Sequence, residues 1–154
     1  MSDIRFFTPQ NRLAAAIDDP SGMLVDDAIA EADRQLALAA VESARKIDES
    51  LELIYRLSAQ AAPGRLDALY QAVREVAGLA GLAQLTELGR AAHTFCSLID
   101  LGQAKGTLPQ DQIQVNVDVL RLLRRPERFA DAERKALLDN LNGVLDKARR
   151  TAAA

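Results

Sequence analysis

Residues 110–125 read QDQIQVNVDVLRLLRR, and the fold of the chain turns on whether they make a strand or a helix. Ile113, Val115, Val117 and Val119 alternate with polar residues, which is the period of a half-buried strand. A lone strand, however, would leave its backbone N–H and C=O groups unpaired. Pro109 at the start of the segment and Arg121, Arg124 and Arg125 at its end match the preferences of a helix, which tolerates proline in its first turn and favours cations in its last. The segment is therefore expected to be helical.

Composition points the same way. There are 28 Ala and 23 Leu against 15 Val plus Ile, with no Trp, and small or straight-chain residues favour helix over sheet. At 154 residues the chain is long enough for one domain that buries a core without disulfides or metals. A net charge of -3 gives no global reason to expect nucleic acid or an anionic membrane as partner. No run of about 18 apolar residues offers a membrane span, and the N-terminus lacks a signal-peptide core, so the protein is expected to be soluble and cytoplasmic. With one Cys and one His, an internal disulfide and a zinc site are both excluded, and no metal or cofactor is expected.

Working outward from the decisive segment, residues 1–22 hold two prolines and a DDPSG turn, and read as an arm with room for a short helix at Arg12 to Ile17. From Val25 to Ala61 there is neither Gly nor Pro. Val25, Ile29, Ala32, Leu36, Ala39, Ser43, Ile47, Leu51, Ile54 and Ser58 recur at helical spacing. Run straight, this helix would span roughly 55 Å at about 1.5 Å per residue, so a bend or break near Ser43 to Asp48 is expected.

Pro63-Gly64 ends it. A second helix buries Leu66, Leu69, Tyr70, Val73, Val76 and Ala77 and exposes Asp67, Gln71, Arg74 and Gly78. A third places Leu82, Leu85, Leu88, Ala92, Phe95 and Ile99 inside and Thr86, Arg90, His93, Ser97 and Asp100 outside. After the helix of residues 110–125, Asp131 is expected to cap a last helix that buries Leu137, Leu138, Leu141, Val144, Leu145 and Ala148.

The fold class is thus all-α. The economical architecture is an antiparallel up-and-down four-helix bundle over residues 23–150, with an arm at 1–22 and a disordered tail at 151–154. Pairing of the long first helix with a copy of itself, giving a homodimer, stays open.

Most motif-like stretches carry no chemistry. GQAKGT at 102–107 lacks the order of a phosphate-binding P-loop, and GLAGLAQLTELG lacks the glycine spacing of a dinucleotide site. RLLRRPER at 121–128 is a cationic helix end. Its sharper reading is a docking patch for an acidic protein surface, and without interleaved aromatics nucleic acid comes last. Asp18-Asp19 and Asp26-Asp27 sit beside turn and helix-start signals. The only group suited to covalent chemistry is His93, since an exposed imidazole can carry a phosphoryl group without a metal.

RAAHTF, around His93, resembles the start of the AHTLKG signature of histidine-containing phosphotransfer (HPt) domains, helical bundles that relay phosphoryl groups between receiver aspartates. Cys96 and Ser97 stand where that signature has its lysine and glycine. A second register matches far more of the chain. PQNRL, IAEADRQL, LDALYQAVREVAG, GRAAHTFCSLI and VNVDVLRLL resemble, in order over about residues 9–150, the pattern of small stand-alone alphaproteobacterial HPt proteins: PPNRL, AxxAExxL, LxxLFRxAHDIKG, TRIAESLCRFI and HVDALR.

In this register the phosphoacceptor position falls on Arg74. REVAG replaces HDIKG: Glu75, Val76 and Gly78 keep the acid, the apolar residue and the small residue, while Ala77 has lost the lysine. A guanidinium stays protonated and offers no nucleophilic lone pair near neutrality. The resemblance therefore implies a degenerate protein, not an enzyme, whose docking face (Asp67, Gln71, Arg74, Glu75 and Gly78) binds a response-regulator receiver domain or a histidine kinase without carrying phosphate. Two alternatives remain at this stage: an active carrier that uses His93, and an unrelated helical scaffold.

Overall fold

The computed structural model describes residues 25–60 and 64–153. The chain divides into two units, Met1–Gln35 and Leu36–Ala154. The arm expected over residues 1–22, with its short helix, lies outside the described residues. Those that are described form five helices: α1 Val25–Ser58, α2 Arg65–Leu79, α3 Thr86–Lys105, α4 Gln110–Leu123 and α5 Asp131–Ala153, with one 3-10 turn at Pro126–Arg128. No strand occurs among the described residues, so the protein is all-α. None of these helices is long and apolar enough to cross a membrane.

The ambiguous segment is a helix. Ile113, Val117 and Leu120 share its buried face with Asn116, Val119 and Leu123, whereas Val115 is left half exposed. Spacings of three and four thus override the alternation, because burying one helical face satisfies every backbone group internally.

α1 departs from expectation. It runs as one 34-residue helix, with no break at Ser43 to Asp48. Without Gly or Pro there is no residue to interrupt the backbone ladder. Arg45 also links the turns on either side of it, hydrogen-bonding Glu42 and meeting Glu49. That bond from Arg45 holds the Glu42 carboxyl below its usual range. From Ser43 onward the predicted stripe is buried, with Ile47 and Ile54 fully enclosed, but its first half is in solvent.

The helix ends follow local chemistry. Gly64 (φ 72°) opens the way into α2. At the end of α3, Gly106 (φ 72°) adopts the left-handed conformation, with its N–H on the Gln103 carbonyl and the Thr107 N–H on Gly102. This paired arrangement satisfies two orphan carbonyls. The last helix begins differently from expectation. Asp131 is its first residue, not its cap, and the Glu133 side chain reaches back to accept from the Ala130 N–H at 2.8 Å. α5 continues to Ala153, into the stretch 151–154 expected to be a tail.

Named contacts give the helix directions. Gln103 donates to Asp67 at 2.7 Å, and Gly89 lies against Ala80 at the other end of the pair, so α2 and α3 are antiparallel. Glu87 meets Arg134, Thr94 meets Asn142 and Lys105 meets the Ala148 carbonyl, which sets α5 parallel to α3. α4 runs antiparallel to the C-terminal half of α1: Arg124 binds Asp48 at 2.7 and 3.0 Å, Arg121 lies 4.6 Å above the Tyr55 ring, and Gln110 donates to the Ser58 carbonyl at 2.6 Å. Phe95, Leu88 and Ile99 of α3 sit in the core with Ile47, Leu69, Val73, Ile113 and Leu120. Leu82, expected inside, is half exposed, because α3 starts only at Thr86 and Leu82 falls in the preceding turn.

Candidate functional site

α2 buries Leu69, Ala72, Val73 and Val76. Helical geometry then turns Asp67, Gln71, Arg74 and Gly78 outward together, and all four are exposed. Arg74 makes no ion pair among the described residues, although Arg45, Arg124 and Arg134 each do. Gly78 leaves open space: a Cβ built there meets nothing within 4 Å.

The neighbours of this stripe are held in place. Asp67 is fixed by Gln103 of α3, and Glu75 accepts a 2.8 Å hydrogen bond from Ser50 of α1, which is itself buried. Glu75 thus tethers α2 to α1 rather than standing free. Cys96, on α3, is buried. Burial and the nearby Asp100 push its thiol up to about 11, against a smaller opposing pull from Arg74. A thiol so protonated is a poor nucleophile near neutrality.

His93 lies elsewhere, exposed on α3. It lines a cavity of about 340 Å³ with Gly89, Arg90, Thr94, Leu138 and Asn142, which Arg74 does not border. The Thr94 hydroxyl sits 3.2 Å from both the Arg90 carbonyl and Asn142 Oδ1. The helical spacing of α3 places Arg90 beside His93; nothing local foretells Asn142, which arrives from α5. A larger, mostly apolar cavity of about 490 Å³ between α3, α4 and α5 is bordered by neither His93 nor any residue of the Arg74 stripe. No group of His, Cys, Asp and Glu fit to hold a metal ion occurs among the described residues.

No protein-family model matches the chain, and no curated protein is detectably similar to it.

Proposed function

We propose that this is a degenerate HPt-like signalling protein, an up-and-down four-helix bundle with an N-terminal arm, that binds a receiver domain or a histidine kinase in the cytoplasm and modulates it without carrying phosphate. The observation that carries the reading is Arg74: exposed at the middle of the α2 stripe, with no carboxylate partner among the described residues and with uncluttered space one turn on at Gly78. A receiver's active site is a cluster of carboxylates, and a guanidinium presented without an internal partner can pair with it bidentately. Glu75, tied to Ser50, would serve to hold α2 in register rather than to touch the partner.

Titration of the protein with purified receiver domains and kinase receivers tests this. Arg74→Ala should weaken binding by about 2–3 kcal/mol, or roughly 30- to 150-fold, as loss of one partner of a buried charge pair does. Equal affinity of the wild type and Arg74→Ala for every receiver would end the proposal.

A second reading has its own support. His93 is exposed, and its cavity brings Arg90 and Asn142 to the imidazole with no carboxylate in the lining. That surroundings suits an active carrier, in which His93 would accept the phosphoryl group and Arg90 offset its charge.

A further inference from the structure

The larger cavity takes no part in either reading above, and it lies wholly within the unit Leu36–Ala154. Its apolar wall is Leu98 and Leu101 from α3, Leu108 from the following turn, Val115 from α4, and Val144 and Ala148 from α5. Val144 and Ala148, expected in the core, are only half-buried, and Val115 is 49 % exposed. What these side chains leave open is thus a concave, mostly apolar recess of about 490 Å³. A recess of that size with a few polar groups at its edge is the usual form of a small-molecule site.

Charge selects the class of ligand. Leu98, Leu101 and Lys105 follow one another at helical spacing along the α3 wall, and Val144, Lys147 and Ala148 do so along the α5 wall. The two helices are parallel, with Lys105 donating to the Ala148 carbonyl at 3.4 Å, so both lysines stand toward the same end of the cavity. Neither forms an ion pair among the described residues, and Asp111, the one carboxylate among the described residues of the wall, pairs with neither. Two cations against one anion therefore border one end of an apolar recess. From Leu98 to Lys105 α3 rises roughly 10 Å, at about 1.5 Å per residue, which suits an aliphatic chain of medium length.

We propose that this cavity binds a free aliphatic carboxylate of medium chain length, its chain against Leu98, Val115 and Val144 and its head group between Lys105 and Lys147. Burial of the methylenes supplies the affinity, and the two ammonium groups set the sign of the head group. A phosphate head group is served less well. GQAKGT lends Gly102, Lys105 and Thr107 to the wall, but the N–H groups of Gly106 and Thr107 are spent on the Gln103 and Gly102 carbonyls, so this turn offers no backbone cradle. The inference depends on neither the Arg74 nor the His93 reading.

Calorimetric titration of the full chain with decanoate, hexanoate and decyltrimethylammonium gives the affinities, and backbone amide NMR shifts give the place. One decanoate should bind per chain and shift the amides of Leu98, Leu101, Val115 and Val144. Hexanoate, four methylenes shorter, should bind about tenfold or more weakly. The cationic decyl probe should bind severalfold more weakly than decanoate, and Lys105→Gln with Lys147→Gln should remove that preference without disturbing the thermal transition, since both lysines are exposed. Val115→Trp, at a half-exposed position, should fill the recess and weaken decanoate about tenfold. No binding to the full chain, as when residues 1–24 or a second copy fill the cavity, would overturn the proposal. So would equal affinity for the two decyl probes, or decanoate shifts confined to other parts of the chain. Phosphatidylglycerol vesicles should leave these amides unmoved, and shifts on adding them would assign the recess to a membrane lipid instead of a free acid.

Discussion

The same substitution, Gly to Ala, should change stability in opposite directions at two helical glycines. Gly143 lies inside α5, exposed, and an added methyl group there meets no atom within 4 Å. The change should therefore gain only the helix-propensity difference, about 0.5–1 kcal/mol, which raises the midpoint by roughly 1–4 °C for a chain of this size. Gly102 lies in the last turns of α3, and there the new methyl would stand 2.7 Å from Leu108 Cβ and 3.3 Å from its Cγ and Cδ1.

Leu108 cannot yield freely. It is buried, it follows the left-handed Gly106, and the hydrogen bond from Thr107 N–H to the Gly102 carbonyl at 2.9 Å fixes the turn that carries it. Overpacking of about 1–3 kcal/mol should exceed the propensity gain and leave Gly102→Ala about 1–2 kcal/mol less stable than the wild type. Urea denaturation of both variants, with equal m-values, gives the two signs. The packing argument for the α3–α4 turn fails if Gly102→Ala is as stable as Gly143→Ala, or if Gly143→Ala is destabilised.

Two further predictions concern buried polar groups. Asn116 is buried in α4 and donates to the Gln112 carbonyl at 2.8 Å, but its Oδ1 has no partner. Asn116→Leu, which keeps the branching and the number of heavy atoms, should raise the stability by about 1–2 kcal/mol in a thermal or denaturant melt, and a loss of that size would show that the amide is satisfied. The raised Cys96 thiol makes stability depend on alkaline pH. The folded chain holds the proton more tightly than the unfolded one, so stability should be level below about pH 9 and fall as the pH approaches 11. The loss is on the order of 2 kcal/mol, and Cys96→Ala should flatten that slope in paired melts at about pH 8 and pH 10.5. An unchanged slope would place the titrating group elsewhere.

The helical face of α2 was legible in the sequence because Leu69, Val73 and Val76 leave only one way for Arg74 to point. The strand-like run of α4 was legible through its flanks, Pro109 and the terminal arginines, rather than through its own alternation. Periodicity could not show that only half of the α1 stripe is covered, since the pattern at Val25 and Ile29 is the same as at Ile47 and Ile54. Nor could it find contacts that depend on tertiary approach. Ser50 on Glu75, Gln103 on Asp67 and Asn142 beside His93 join residues 25 to 49 positions apart, and no local motif announces them. Asp131 failed as a cap for a local reason: the helix already begins at Asp131, and Glu133 reaches back to accept from the N–H of Ala130, the residue before it.

Incubation with a phosphorylated receiver or an autophosphorylated hybrid kinase, followed by assay for acid-labile, base-stable label, bears most directly on whether this chain carries phosphate. The degenerate reading predicts no label on the wild type, together with receiver binding that Arg74→Ala weakens. Label that appears on the wild type and vanishes in His93→Ala would contradict it and assign the relay to the imidazole on α3.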